Sequence, residues 1–345
     1  MGPAGQPNQV VRRAGFLSRL FPLRNAVAAP ARVAGVPSVR FPAEPLPEVL
    51  RISARSLDGQ ARLEEVLRGS GALRFPEQRS ICTTIMHARP IVNVLGVAVS
   101  AINLDLALEA VAGALDRREK GYICVTGVHG VSEAQTDEGF RRILNQAFLC
   151  TPDGMPLVWA GRWQGRKEMG RVYGPDLMLA VLAQSEKTGR RHFFYGGTNG
   201  AAQALREELG KRFPKLQIAG TYEPPFRPLN AVEAGELKKL IQDARPDMMW
   251  IGLSTPKQEK FMAEYLGQLD VTLMAGVGAA FDFLAGRLRQ APRWMQRSGL
   301  EWLFRLGCEP RRLWKRYLKN NPLFLIRFFC QCARLRKYPL NNRGL

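Results

Sequence analysis

Between about residues 91 and 286, short apolar runs alternate with longer stretches whose apolar residues recur at helical spacing. Met248–Ile251 and Val271–Ala275 each run into a glycine. The first is followed by Gly252-Leu-Ser-Thr-Pro-Lys-Gln258-Glu259, the second by Gly276-Val-Gly278-Ala-Ala-Phe-Asp282. Apolar run, glycine turn and helix form the grammar of an α/β fold with a doubly wound, mostly parallel, Rossmann-like sheet. Ligands of such sheets lie beyond the carboxyl ends of the strands, so these turns predict a binding edge for a phosphate-bearing ligand.

In chain order, Ile91–Val99 reads as strand with a turn. Asn103–Arg117 reads as a helix with Asn103 at its cap. Tyr122–Thr126 predicts a buried strand, His129–Leu144 a helix, and Phe148–Cys150 a strand that delivers Thr151-Pro-Asp153-Gly154. Helices follow from Met155 and over Pro175–Lys187. His192–Tyr195 predicts a strand ending at Gly196-Gly197, with a helix over Asn199–Phe213, a strand over Leu216–Ala219 and a helix over Val232–Ala244. From Ala291 onward the pattern is helical, over Trp294–Leu306 and Pro310–Leu335.

Charge divides the chain further. Of the net +20, residues 1–40 contribute six Arg with no acid, and residues 287–345 contribute fifteen Lys/Arg against Glu301 and Glu309. Subtracting +6 and +13 from +20 leaves about +1 for the stretch between. We therefore expect a basic, largely disordered leader over 1–80, an α/β domain over 90–290 and a helical basic appendage over 291–345. Arg12-Arg13, Phe16-Leu17 and Arg24 resemble an Arg-rich targeting segment, although a disordered leader is the plainer reading. Pro45–Leu67 carries patches of helical spacing.

The appendage interleaves its basic residues with Trp294, Trp302, Phe304, Trp314, Tyr317, Phe324, Phe328 and Phe329. Dense aromatics with dense positive charge describe a helix lying on an anionic membrane surface. Packing on the core and nucleic-acid binding compete with that reading. The aromatic load favours the membrane and argues against nucleic acid. No run of eighteen apolar residues exists, so no spanning helix is expected. The six cysteines and three histidines fall at no metal-ligand spacing, and we expect a reducing cytosolic compartment without structural disulfides.

Asp153 is the sharpest single candidate for chemistry. It follows an apolar strand and precedes a helix, where it suits either general-base work or helix capping. Arg171 suits a phosphate or carboxylate clamp, or an ordinary surface position beside the Gly174-Pro175 turn. Gly196-Gly197 and Gly276-x-Gly278 precede helices and so present backbone N–H groups to a diphosphate. The latter lacks the third glycine of a dinucleotide fingerprint, which disfavours a nicotinamide oxidoreductase. Gln258 and Glu259 suit ordinary first-turn polarity as well as a pocket. There is no Asp-x-Asp, so a divalent ion bridging a nucleotide diphosphate lacks its usual carboxylates, and neither a metal nor another cofactor is expected.

Five ordered motifs resemble the WecG/TagA/CpsF glycosyltransferase family. They are Thr151-Pro-Asp153-Gly154-Met-Pro-Leu-Val-Trp, Arg171-Val-Tyr-Gly-Pro-Asp176, Phe193-Phe-Tyr-Gly196-Gly197, Gly252-Leu-Ser-Thr-Pro-Lys-Gln258-Glu and Gly276-Val-Gly278-Ala-Ala-Phe-Asp282. The tail Gly299-Leu-Glu-Trp-Leu-Phe-Arg305-Leu-Gly-Cys-Glu-Pro-Arg311-Arg312 resembles that family's C-terminal appendage. The resemblance implies a bacterial, inverting, metal-independent hexosyltransferase. It would move a sugar from a UDP-sugar to a polyprenyl-diphosphate-linked acceptor while bound peripherally to the inner face of the plasma membrane.

By the same likeness Asp153 is the general base, and Arg171 and Gln258 are pocket residues. Arg305 and Arg312 reach in to steady the leaving diphosphate. Thr126, Asp176, Gly196, Gly197, Gly252, Gly278 and Asp282 complete the expected substrate-binding set. The family's early Thr-x-Asn stands here as Thr126-Gly127-Val128, with His129 next as the expected replacement. That departure, with the basic leader, points toward an exopolysaccharide-type transferase; N-acetylmannosamine, N-acetylmannosaminuronate and glucose are all open as donor sugars. The contrasting expectation is a non-catalytic nucleotide-binding regulator with a membrane-associating tail. The detachable look of residues 291–345 also allows a homo-oligomer in which the tail crosses to a neighbour.

Overall fold

The structure is a computed structural model that describes residues 90–225 and 227–340. The expected leader, its targeting-like segment and the Pro45–Leu67 stretch lie outside the described residues. The chain enters through a hairpin, β1 (Ile91–Val94) and β2 (Val97–Ser100), whose antiparallel register pairs Ile91 with Ser100. Helix α1 (Leu104–Asp116) follows, with the Asn103 side chain accepting from the Leu106 N–H as its cap.

Strand β3 (Gly121–Thr126) leads into α2 (Val128–Glu133) and α3 (Glu138–Gln146). The single helix expected over His129–Leu144 is therefore two. The Asp137 side chain accepts from the Phe140 N–H at 2.8 Å, and this local bond starts a new helix instead of continuing the old one. Then come β4 (Leu149–Pro152), α4 (Met155–Trp163), α5 (Gly174–Thr188), β5 (Arg191–Gly196), α6 (Ala201–Arg212) and β6 (Gln217–Tyr222). The sheet is completed by α7 (Ala231–Ala244), β7 (Met248–Gly252), α8 (Lys257–Tyr265) and β8 (Leu273–Gly276), before the short α9 (Ala280–Leu284).

Six strands form one sheet in the order β4-β3-β8-β7-β5-β6, and every neighbouring pair is parallel. Alternate residues feed opposite faces. On β7, Met249 and Ile251 join Phe140, Leu157, Ile241 and Met262 of α3, α4, α7 and α8. Met248 and Trp250 join Val111, Leu177, Leu205 and Phe281 of α1, α5, α6 and α9. A parallel sheet covered on both faces needs strands that are apolar throughout, which explains the continuous runs in the sequence.

The appendage is α10 (Arg293–Arg297), α11 (Glu301–Cys308) and α12 (Pro310–Cys332). Gly299 splits the helix expected over Trp294–Leu306. Its φ is +74°, and a Cβ there would lie 2.7 Å from the Trp159 ring on α4. The inner face of α12 buries Leu313, Asn320 and Phe324. Farther along, the Gln331 side chain joins the hairpin, donating to the Asn93 carbonyl at 2.9 Å and accepting from the Leu95 N–H at 2.9 Å. Leu318, Leu325, Ile326 and Phe329 face outward, each at least 60% exposed. So part of the tail's aromatic load packs on the body and part is free. Among the described residues, no helix is long and apolar enough to cross a membrane.

Candidate active site

The carboxyl ends of β3, β4, β5, β7 and β8 share one edge, and the expected residues follow directly from them. The Asp153 N–H donates to the Thr126 carbonyl at 2.9 Å, so the ends of β3 and β4 stay in step. Asp153 does not cap α4; that position falls to Gly154, which has no side chain to offer. Its Oδ1 accepts instead from the N–H of Gly174, the first residue of α5, at 3.3 Å. Its Oδ2 faces Gly127, where a Cβ would lie 3.7 Å away.

Burial pushes the Asp153 carboxyl up to about 6. Arg171, the Gly174 N–H and Arg305 pull it back, while Glu301 pushes it further. A carboxylate so tuned is largely ionised near neutrality yet holds a proton more firmly than a free one. That combination suits a general base.

Arg171 is engaged through two of its three nitrogens. Its Nε donates to the Asp153 carbonyl, its Nη2 to Glu301 Oε2 at 2.5 Å, and its guanidinium lies 4.1 Å from the Tyr173 ring centroid. Glu301 lies on α11, and Arg305 follows it one turn later on the same face. The Arg305 guanidinium lies 5.4 Å from the Phe283 ring centroid and 3.9 Å from Glu309. Arg312 pairs with the same Glu309 at 2.5 Å and is 60% exposed.

Gln258 and Glu259 exceed first-turn polarity, being only 2% and 1% exposed. Gln258 Oε1 accepts from Gly278 N–H at 3.0 Å and Ser254 N–H at 3.4 Å, pinning the loops after β7 and β8 together. Its Nε2 donates to Glu259 Oε1 at 3.1 Å, which also accepts from Thr255 Oγ1 at 2.8 Å. Burial raises the Glu259 carboxyl's affinity for a proton. Gly196 has φ +117°, and a Cβ there would come within 2.7 Å of the Gly252 carbonyl oxygen; Gly197 N–H donates to that oxygen at 3.0 Å.

Several expected contacts have other partners. The start of α6 was expected to offer amides to a diphosphate, but Glu223 accepts from Gly200 N–H at 3.1 Å and Ala202 N–H at 3.2 Å. Thr126 is buried, with its hydroxyl donating to the Cys124 carbonyl at 3.3 Å. Asp176 holds Arg293 through two bonds of 2.8 and 3.2 Å, tying α10 to α5. Asp282 lies 3.8 Å from Arg287. His129 Nδ1 lies 3.1 Å from Asn320 Nδ2 of α12, and burial, then Arg316, lower its proton affinity. Among the described residues, no group of His, Cys, Asp and Glu is placed to hold a metal ion.

Glu301, Tyr173 and Glu223 were not among the expected site residues. Glu301 left a trace in the sequence as one of two acids in a strongly basic segment, and Tyr173 lies inside the Arg171–Asp176 motif.

A doubly wound sheet with a tuned strand-end carboxylate and glycine turns along its carboxyl edge is a scaffold for chemistry on a bound small molecule. The chain belongs to the glycosyl transferase WecG/TagA/CpsF family, whose sequence profile matches residues 92–338. It is therefore a glycosyltransferase. It is similar to an N-acetylglucosaminyldiphosphoundecaprenol N-acetyl-beta-D-mannosaminyltransferase of Bacillus subtilis, 30% identical over 182 residues, covering 53% of this chain and 69% of the relative. Enzymes of the same name from Bacillus spizizenii and Staphylococcus aureus are 28% and 26% identical over 204 residues. Each alignment covers 59% of this chain, with 77% and 78% of the respective relative.

Proposed function

We propose that this protein transfers a sugar, with inversion and without a metal, from a UDP-sugar to a polyprenyl-diphosphate-linked sugar in bacterial surface or exopolysaccharide biosynthesis. The single observation that carries the mechanism is Asp153, a tuned carboxylate at the strand edge with one oxygen held and the other facing the Gly127 turn. In this reading Asp153 Oδ2 takes the proton from the acceptor hydroxyl as that oxygen attacks the anomeric carbon. The bond to the UDP oxygen breaks on the opposite side, and the sugar inverts.

A double displacement needs a second carboxylate free to act as nucleophile. The carboxylate that acts electrostatically on Asp153, Glu301, is committed to Arg171 at 2.5 Å, which supports a single displacement. Positive charge on Arg305 acts where charge develops on the leaving diphosphate. Arg171 serves better as a support for the Asp153 backbone than as a free phosphate clamp. The Gln258–Gly278 pin shapes the donor pocket between β7 and β8.

The names of the relatives support undecaprenyl-diphosphate-N-acetylglucosamine as the first acceptor to try and N-acetylmannosamine as the first donor sugar. The outward apolar face of α12, among its Lys and Arg residues, supports peripheral attachment to an anionic inner membrane face. Residues 90–290 then act as the catalytic domain and 291–345 as lid and membrane contact. Tail exchange between copies would make the enzyme a homo-oligomer.

The test is turnover of UDP-N-acetylmannosamine, UDP-N-acetylmannosaminuronate and UDP-glucose with a short-chain prenyl-diphosphate-N-acetylglucosamine, using the full chain and Asp153→Asn. Loss of transfer in a variant that stays folded and still binds UDP is expected. Normal turnover by that variant would overturn the assignment.

A further inference from the structure

Glu301 is an acid in a segment that otherwise accumulates positive charge, and its side chain does not face water. It is 15% exposed and meets an Arg171 side chain that is 14% exposed. An acid in a helix first turn ordinarily answers the helix dipole from the surface. This one reaches from α11 to Arg171 in the loop before α5, and the contacts run Glu301, Arg171, Asp153 carbonyl.

We propose that Glu301 is a positioning residue for sugar transfer: its ion pair with Arg171 seats α11 over Asp153 and cancels the positive charge beside the base. This rests on the reading of Asp153 as general base and adds a control on it.

The physical reason is a conflict that Arg171 creates. Its guanidinium supports the Asp153 backbone, but a bare cation at that distance draws the carboxyl down and weakens it as a base. A carboxylate on the far side of Arg171 restores basicity without removing the support. The groups facing Asp153 are Arg171 and Tyr173 from the loop before α5, the Gly174 N–H from α5, and Glu301 and Arg305 from α11, Arg305 itself being 3.9 Å from Glu309. Because Arg305 lies one turn beyond Glu301, the contact that strengthens the base also delivers the cation for the leaving diphosphate. With α11 undocked, Arg171 is uncompensated and Arg305 is absent, so base strength and leaving-group stabilisation are lost together.

The test uses the full chain with Glu301→Gln, which keeps the shape and loses the charge. Two quantities are read: the acid limb of kcat/KM with the donor and acceptor panel above, and the titration midpoint of the Asp153 carboxyl by carbon-13 NMR. Glu301→Gln should lower both by roughly one pH unit and reduce plateau kcat severalfold. A residue that merely holds α11 would lower activity and leave the midpoint in place, which would overturn the proposal.

The double variant Arg171→Gln/Glu301→Gln removes both charges and should return the midpoint to that of the unaltered protein. If Glu301→Gln does not fold, this double variant decides the matter, since a displaced midpoint there counts against cancellation. An unmoved midpoint with inactive Asp153→Asn removes the role of Glu301 and leaves the base assignment intact. Active Asp153→Asn removes the base and this role with it.

Discussion

The N–H of Gly174 meets Oδ1 of Asp153 across 3.3 Å, so the carboxylate on the end of β4 is held by the start of α5, twenty-one residues later in the chain. Helix starts favour negative charge, yet burial outweighs that bond and raises the carboxyl from 3.8 to about 6. A group whose folded value is raised binds protons more tightly when folded, so its ionisation opposes folding as pH rises. The cost is absent below about 3.8, grows between 3.8 and about 6, and is complete above that.

Asp153→Asn should therefore be more stable than the unaltered protein at pH 7.5, by about 1–3 kcal/mol after allowing for the partial opening to solvent. Near pH 3.5 the difference should vanish. Urea melts at the two pH values check this. Equal stability at both would mean that the carboxyl is not held up by its surroundings.

Gly196→Ala tests the close approach of β5 and β7. The new Cβ would sit 2.7 Å from the Gly252 carbonyl oxygen at a φ of +117°. The backbone has to move, at a cost of about 2–4 kcal/mol. A fall in denaturation midpoint with weaker UDP binding by calorimetry is the expected result.

Gln258 and Glu259 should respond differently despite being neighbours. Gln258→Ala strips the Ser254 N–H of its acceptor and leaves the Gly278 N–H only its longer 3.3 Å bond to the Ile251 carbonyl; it should cost about 1–3 kcal/mol together with a weaker UDP Kd. Glu259→Gln imitates a neutral carboxyl, the form that burial favours. Because it removes a charge that burial disfavours and keeps Oε1 as an acceptor, it should not lower stability at neutral pH, measured by chemical denaturation.

The two faces of α12 give a separate contrast. Leu325→Ser with Phe329→Ser, on the outward face, should leave the thermal melt unchanged and reduce sedimentation with phosphatidylglycerol vesicles severalfold. Added salt should weaken binding of the unaltered protein as well. Phe324→Ser, only 2% exposed, should instead loosen the packing of α12 and lower the melting temperature.

The strands at Tyr122–Thr126, His192–Tyr195 and Met248–Ile251 were plain because a parallel sheet buried on both faces demands unbroken apolar runs. The Asn103 cap was plain because its bond spans three residues. The break between α2 and α3 was missed although Asp137 caps α3 in the same local way, since the apolar spacing continues through it. Asp153 was legible as a strand-end acid, but its partner Gly174 was not. Asp176 was legible beside the Gly174-Pro175 turn, but its partner Arg293 was not, because ion pairs across 117 residues leave no periodic trace.

By itself the sequence determined the α/β class, the placement of the glycine turns, the basic appendage and the family resemblance, all of which depend on local spacing and residue type. Only the tertiary structure decided which of those residues meet. It set Glu301 against Arg171 and Arg305 beside Asp153, while pairing the more exposed Arg312 with Glu309. It also placed Glu223 where an anion had been expected. Charge and burial act through space, so the tuning of Asp153 exists only once β4, the loop before α5 and α11 are packed against one another.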